Sequence, residues 1–440
     1  MKKGFYKFSK QAEKAISLIE SGDKNVFVTG KAGTGKSTLL EHIRLYSTQD
    51  MVVLAPTGIA AINVNGDTIH SFFQLKPGFE KEEAQKLRLD EKREAKFKRL
   101  KTIAIDEISM VRADLFDAMD IFLRRARKNQ APFGGVQMVF FGDLYQLPPV
   151  ITALDKEKFH SEYDSPYFFN AQVFSGQSDL FAGGFKVEVI ELDKIYRQSD
   201  NKFIEILNAV RDNTVENEHL EVLNSRFSPF FVPDQKDKYI HLMTTNKAAA
   251  YINNQELKKL KTEATVYQAE QTGDLARNLY PNDLEVSLCV GAQVMFIYND
   301  PDRRWVNGTI GKVVAIEEDF DEETEKMVEV VCVEKSDGKV VEVRKYKWEI
   351  SKYVFKGGEF ERENIGSFTQ MPMKLAWAIT IHKSQGKTFD KVVIDLGRGS
   401  FAHGQTYVAL SRCTSLEGLV LKKRIYRDSI IMDEKVKNFK

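Results

Sequence analysis

The stretch Gly30-Lys31-Ala32-Gly33-Thr34-Gly35-Lys36-Ser37 constrains the fold more than any other part of the chain. It fits the pattern G-x-x-x-x-G-K-[ST] and lies between a short β-rich run, "KNVFVTG", and a helical sequence, "KSTLLEHIRLY". Glycines at these spacings let successive backbone N–H groups wrap a phosphate, and the N-terminus of the following helix adds positive potential. A strand that ends in such a loop and continues into a helix belongs in a parallel sheet covered by helices on both faces. Three more apolar runs keep the rhythm: "MVVLAP" before "TGIAAINV", "TIAIDE" before "DLFDAMDIFLRRARKN", and "VQMVFFGD" after "PFGG". Upstream, Ala12, Ala15, Ile16 and Ile19 recur at helical spacing.

At 440 residues the chain is too long for one ordinary domain. A second α/β half follows "FKVEVIELDKIYRQSD": "FIEILNAVRD" reads as a helix, "YIHLMTTN" as a strand, "KAAAYINNQELKKL" as a helix. Two segments break the pattern. Lys76 to Lys101 carries ten Lys or Arg against six Asp or Glu and reads as a charged helical insertion, which charge alone would place on a solvated surface. From Trp305 to Phe360 the sequence alternates in β fashion around an Asp-Gly turn, as a small all-β insertion does. The α/β pattern returns with "LAWAIT", "DKVVIDL" and "GQTYVALSRCTSLEGLVL".

The formal net charge of +1 predicts no polyanion partner, so any nucleic-acid surface must come from local clustering. Three cysteines, Cys289, Cys332 and Cys413, lack metal-ligand spacing and suit a reducing compartment. Without a run of about 18 apolar residues no membrane span is expected. The N-terminus "MKKGFYKFSK" lacks the apolar core of a signal peptide, so a cytoplasmic location is expected.

The phosphate loop sets expectations for the residues around it. Lys36 would reach the β- and γ-phosphates and Ser37 would ligate Mg²⁺. Asp106, ending the run "TIAID", would hold Mg²⁺ through water. Glu107 beside it would orient the attacking water, which points to hydrolysis; an acidic pair complementing a helix dipole is the alternative. Gln146 in "GDLYQLPPV" follows a strand whose carboxyl end faces the ligand, within reach of the γ-phosphate. Gln11 could read adenine through its amide or be a surface glutamine. Arg197 in "LDKIYRQ" and Arg412 in "VALSRC" could stabilise transition-state charge across a cleft, or each could serve in a salt bridge. The triplet Gly386-Lys387-Thr388 mimics the end of a second phosphate loop, but Ile381 stands where its first glycine is needed. Gly386 is instead expected to end a short helical turn carrying His382 to Gln385.

Taken in order, "GKAGTGKST", "APTGIAA", "TIHSFF", "IDEISM", "GDLYQLPPV", "LDKIYRQ", "GAQVM", "NGTIG", "ITIHKSQGKTFD" and "TYVALSRC" resemble the superfamily 1B DNA helicases. "SMVRADLFDAMD" and "RKNQAPFGGVQMVFFGDLYQLPPV" resemble the petite integration frequency (PIF) helicases most closely. The resemblance covers nearly the whole chain, which looks like a minimal bacterial or phage-derived member. It implies an α/β architecture of two RecA-like P-loop NTPase domains, parallel sheets with helices on both faces, with a small wedge insertion and an SH3-like β-barrel insertion. The expected boundaries are 1–64 and 102–185 for the ATP-binding domain, 65–101 for the wedge, 186–300 and 366–440 for the second RecA-like domain, and 301–365 for the SH3-like insertion. Gln11, Lys36, Ser37, Asp106, Glu107, Gln146, Arg197 and Arg412 fall on the family's ATPase positions. Gly33, Thr34, Gly35, Thr38, Gln385 and Gly386 are expected to face nucleotide.

The same resemblance implies ATP and Mg²⁺ as cofactors, and 5′-to-3′ translocation on single-stranded DNA. It implies unwinding of duplexes, DNA–RNA hybrids and G-quadruplexes in replication, repair and recombination, by a protein that is monomeric when free. Partners would be single-stranded DNA, single/double-strand junctions and single-strand-binding or replication proteins at the bacterial nucleoid. Such a motor holds phosphates through hydroxyls, amides and helix N-termini and stacks bases on aromatics. Thr57 and Gly58, His70 and Phe72, Thr245, Asn246 and Lys247, and Thr380, His382, Lys383 and Ser384 are the expected DNA contacts. Core packing competes with stacking for Phe72 and Phe73. A RecA-like strand-exchange or clamp protein is the alternative class, against which two α/β halves in one chain argue.

Overall fold

The computed structural model describes residues 8–75, 80–87, 89–151, 155–175, 185–198, 200–234, 237–321, 325–356, 359–397 and 399–439. It divides into two units, one of Met1–Tyr196, Ser351–Asn364 and Asp433–Lys440, the other of Arg197–Ile350 and Ile365–Met432.

In the first unit, short apolar runs buried on both faces build a parallel sheet. Its strands are β1 (Asn25–Gly30), β2 (Met51–Ala55), β3 (Asp67–Thr68), β4 (Thr102–Ile105), β5 (Gln137–Phe141) and β6 (Val187–Leu192), in the order β3-β2-β4-β5-β1-β6. All its pairings are parallel. Alternate residues of β1 serve opposite faces: Val26 and Val28 pack with Ala15, Ile19, Leu39 and Leu40, while Phe27 joins Phe116, Phe140 and Phe168. The chain leaves β1 towards β2, across β5 and β4. The carboxyl end of β1 is therefore where crossovers diverge, the place where open α/β sheets hold ligands.

Two expected boundaries are corrected by this sheet. The second half does not begin at residue 186, because β6 pairs with β1 along its whole length, from Asn25↔Val187 to Gly30↔Leu192. Nor does the wedge begin at 65, since Asp67 and Thr68 pair with Leu54 and Ala55. The charged segment is also more than a solvated surface. Its helices Glu80–Lys86 and Glu91–Arg99 place Ala84 and Phe97 in the core against helix Ala113–Arg127. Arg127 donates to the carbonyls of Phe97 and Leu100 and Arg125 to that of Leu87, so cations of the core helix terminate the insertion. Positions 76–79 and 88 of that segment lie outside the described residues.

Two distant segments complete this unit. Tyr353 N–H donates to the buried Asp67 carboxylate at 2.7 Å, and Phe360 packs on Phe72. Burial holds the Asp67 carboxyl above its usual range, against the pull of the Tyr353 hydrogen bond and the Arg362 guanidinium. Near the chain end, Phe439 stacks on Phe169 and meets Phe27. Residues 351–356, 359–364 and 433–439 therefore pack with the first sheet and not in the domains expected for them.

The second unit has its own parallel sheet, in the order Ala378–Thr380, Ile240–Met243, Val392–Asp395, Leu419–Leu421. Its β-rich part is wider than the expected 301–365. An antiparallel sheet runs through Val340–Val343, Lys326–Lys335, Ile310–Asp321, Gln293–Phe296 and Met373–Leu375. The anticipated Asp337-Gly338 turn closes one of its hairpins, with Gly338 at φ +78°. Trp305, stacked on Phe296 at 4.4 Å, centres its core with Val294, Val313 and Val333. Among the described residues no helix is long and apolar enough to cross a membrane.

Candidate nucleotide and nucleic-acid sites

The loop after β1 has the backbone its glycines allow. Gly30 is at φ +148°, and a Cβ there would lie 2.6 Å from the Leu192 carbonyl oxygen, so β6 itself forbids a side chain. Gly35 at φ +85° caps helix Lys36–Tyr46 without a side-chain hydrogen bond, so no side chain competes for that helix start. The Lys36 ammonium donates to the Gly30 and Lys31 carbonyls, at 2.7 and 3.1 Å, and Thr34 Oγ1 donates to Lys31 O at 2.9 Å. Tyr196 N–H fastens the loop through the Gly33 carbonyl at 2.8 Å. Ser37 is exposed and Thr38 half-buried in the first helical turn. These donors, with the exposed hydroxyl, fit the phosphates and divalent cation of a nucleoside triphosphate.

Asp106 follows β4 and is buried, its N–H donating to Leu54 O at 2.9 Å. Burial first, then the neighbouring Glu107 carboxylate, push its carboxyl up to about 7, while Lys36 pulls it down. A buried carboxylate at a strand end gains from an adjacent cation, which is what an Mg²⁺-binding position requires. Glu107 stands at φ +50°, a left-handed conformation uncommon for a residue with a side chain and typical of functional sites. Gln146 is buried beyond β5 and donates from Nε2 to Asp143 at 3.3 Å. Gln11 donates to Asp193 at 2.9 Å, so its amide N–H already has a partner.

The second unit gathers the two arginines. The Arg412 guanidinium donates to Val408 O at 3.0 Å, Ser384 O at 3.3 Å, Lys387 O at 3.4 Å and Ser411 Oγ at 2.8 Å. Arg197 reaches Ser411 O at 3.4 Å, and Gln198 donates to the carbonyls of Ser411 and Cys413. Sequence reasoning passed over Gln198 and Tyr196. Their one signal was adjacency to Arg197 in "LDKIYRQ".

"ITIHKSQGKT" forms the expected turn, a short 3₁₀ helix over His382–Ser384 followed by Gly386 at φ +74°. Lys387 is tied to Asn307 of "NGTIG" at 2.5 Å, and burial, then Lys374, push its amine down to about 8. The Gln385 Nε2 is buried with no hydrogen-bond partner among the described residues, a donor awaiting an acceptor. His382 is half-buried, with its pKa lowered by burial, and Lys383 is exposed. Two expected DNA contacts of this stretch are corrected. Ser384 is fully buried and gives its hydroxyl to Ile381 O at 2.7 Å. Thr380 is 4% exposed and accepts from Lys383 N–H at 3.3 Å. Both side chains fix the turn.

Thr57 and Thr245 are matched helix caps, one per unit. Thr57 (φ −127°, ψ 155°) accepts from Ala60 N–H and Thr245 (φ −132°, ψ 149°) from Ala248 N–H. Each is exposed, and each follows a parallel strand of its sheet: Thr57 with half-buried Gly58, Thr245 with exposed Asn246 and Lys247. His70 is half-buried. Phe72 is corrected as a stacking residue: it is 4% exposed, ringed by Phe73, Phe97, Tyr353 and Phe360 at 5.1 to 6.1 Å. Phe72→Ala is therefore expected to destabilise the fold by about 3–5 kcal/mol. Single-stranded DNA affinity of the folded protein should change by less than about twofold; losing a stacked base would cost roughly 1–3 kcal/mol of binding. Thermal melting and oligonucleotide titration of one preparation check both.

A phosphate loop at the switch point of a parallel sheet, with a buried carboxylate at a neighbouring strand end, defines a P-loop NTPase. A second parallel α/β unit makes it one with two RecA-like domains. A family profile described as PIF1-like helicase matches residues 7–221. The chain is 33% identical to the ATP-dependent DNA helicase Pif1 of Bdellovibrio bacteriovorus over 98% of its own length and 91% of that protein's. The crystal structure of Bacteroides sp Pif1 in complex with ADP-AlF4 is 38% identical, with a TM-score of 0.87 over 97% of this chain and 95% of that one. That of Bacteroides Pif1 bound to ssDNA is 37% identical, with a TM-score of 0.66 over 98% and 95%. The chain belongs to the PIF1-like helicase family and is an ATP-dependent DNA helicase.

Proposed function

We propose that the protein is a 5′-to-3′ motor on single-stranded DNA that opens duplexes at single/double-strand junctions. The observation that carries this reading is the matched pair of threonine-capped helix starts, Thr57 and Thr245, one in each unit. Two equivalent backbone-directed grips suit a strand held without regard to sequence and handed from one unit to the other. Support for the ligand comes from the Bacteroides relative bound to ssDNA.

In the ATPase cycle, the Lys36 ammonium exchanges its loop carbonyls for the β- and γ-phosphates of ATP. Ser37 and Asp106 are assigned to Mg²⁺, which when bound neutralises developing phosphate charge. Glu107 orients the attacking water, Gln146 senses the γ-phosphate, and Arg197 and Arg412 stabilise the charge that develops on it. Gln385, with its orphan donor, and Gly386 link this cluster to the DNA-facing His382 and Lys383. DNA–RNA hybrids and G-quadruplexes are proposed as further substrates of the same strand-tracking activity.

Strand displacement on substrates with only a 5′ or only a 3′ single-stranded tail tests motor activity and polarity together. ATP-dependent displacement is expected with the 5′ tail alone. Displacement from the 3′ tail would reverse the assigned direction, and displacement without ATP would refute the motor.

A further inference from the structure

The four parallel strands of the second sheet all point the same way, so the loops after Thr380, Met243, Asp395 and Leu421 emerge along one edge. The first two carry the proposed DNA contacts. The other two close a cavity of about 650 Å³ lined by Leu396, Gly399, Lys423, Arg424, Tyr426 and Asp428, among others. A continuous chain of groups joins the grip to the cavity. Thr244, next to the capping Thr245, has its hydroxyl 3.5 Å from where a side chain on Gly397 would begin. The Lys423 ammonium donates to the Gly397 carbonyl. Arg424 is exposed, its guanidinium 4.8 Å from the Phe227 ring, and Tyr426 is 58% exposed.

We infer that this cavity extends the single-strand path: a strand gripped at Thr245–Lys247 continues over Gly397 into a basic pocket where Lys423 and Arg424 hold backbone phosphates and Tyr426 stacks a base. The inference rests on the DNA-motor reading and lengthens its footprint. Lysine and arginine beside an exposed aromatic ring match what single strands require, a positive track with a stacking platform. Asp428 in the same lining is outnumbered by Lys422, Lys423 and Arg424, so the pocket keeps a positive balance. Lys422 holds two carbonyls, of Pro229 and Phe231, whereas Lys423 holds one, of Gly397 on the path itself, so Lys423 exchanges a single hydrogen bond for a phosphate beside Arg424.

The test titrates the full chain with labelled oligo(dT) of about six and about fourteen nucleotides, one near each end of the range of typical single-strand sites. The Lys423→Glu/Arg424→Glu variant is expected to bind the longer strand roughly tenfold more weakly, its log–log salt slope smaller by about 1.4 for two lost phosphates. Affinity for the shorter strand should change less than about twofold, since that strand fills the Thr245 grip alone. Arg424→Glu by itself keeps the Lys423–Gly397 hydrogen bond and should show about half the slope change. Equal losses on both lengths, or none on either, would overturn the inference while leaving the motor reading intact. Failure of the unsubstituted protein to bind either strand would overturn both.

Discussion

Replacing Lys36 by alanine is expected to lower DNA-stimulated ATP turnover by at least about 10²–10³, as loss of a preorganised charge donor does. The reason lies in what the ammonium contacts. It sits between the Gly30 and Lys31 carbonyls inside the loop, so its charge is already where the β- and γ-phosphates would arrive. Among the described residues Lys36 is the cation that pulls the Asp106 carboxyl down, so the variant also shifts that buried carboxyl further towards its protonated form. The fold should survive, because the hydrogen bonds to the Gly30 and Lys31 carbonyls lie at a half-buried loop and are worth about 0.5–1.5 kcal/mol each. Single-stranded DNA binding should persist, since Thr57 and Thr245 owe their caps to Ala60 and Ala248 and nothing to Lys36. Coupled-enzyme turnover with and without oligo(dT), beside anisotropy titration, reads both quantities. Unchanged turnover would remove the loop from the mechanism.

The nucleotide loop was legible in the sequence because everything that defines it is local. Glycine spacing dictates the positive φ angles, and the next few residues dictate the helix. Gly386 was legible for the same reason: a missing first glycine excludes a second loop, and the turn that replaces it is four residues long. Phe72 was not. In "TIHSFF" a ring that stacks on a base and a ring that fills a core look identical, and its partners Phe97, Tyr353 and Phe360 are 25, 281 and 288 residues away. Ser384 and Thr380 show the subtler version. Their hydroxyls suit phosphate as well as they suit a backbone carbonyl or N–H three residues away, and burial decides between the two. The boundary at β6 was hidden by its alternation, V-E-V-I-E-L, which fits the edge of either sheet until the pairing with β1 is known. Long-range register separates what the sequence shows from what it leaves open.

Arg412→Ala is expected to reduce turnover by roughly 10³–10⁵, the range for removal of a transition-state arginine, while nucleotide affinity changes by less than about fivefold. The buried guanidinium complicates any simple reading of that loss. Its hydrogen bonds to Ser384 and Lys387 carbonyls also brace the turn that carries Gln385 and Gly386, so truncation leaves acceptors unpaired and lowers stability by about 1–3 kcal/mol. Two comparisons separate chemistry from bracing. Arg412→Lys keeps the charge and loses the planar fork, and should recover little turnover if two phosphate oxygens are gripped at once. Gln198→Ala strips the amide from the same cluster, where it binds the Ser411 and Cys413 carbonyls, without touching any arginine. It should cost comparable stability and less than about tenfold in turnover, because no charge is removed from the reacting phosphate. If Gln198→Ala were as slow as Arg412→Ala at full nucleotide saturation, the cluster would be a structural brace and Arg412 would lose its place in the chemistry. A large fall in nucleotide affinity with normal turnover in Arg412→Ala would move that arginine to ground-state binding.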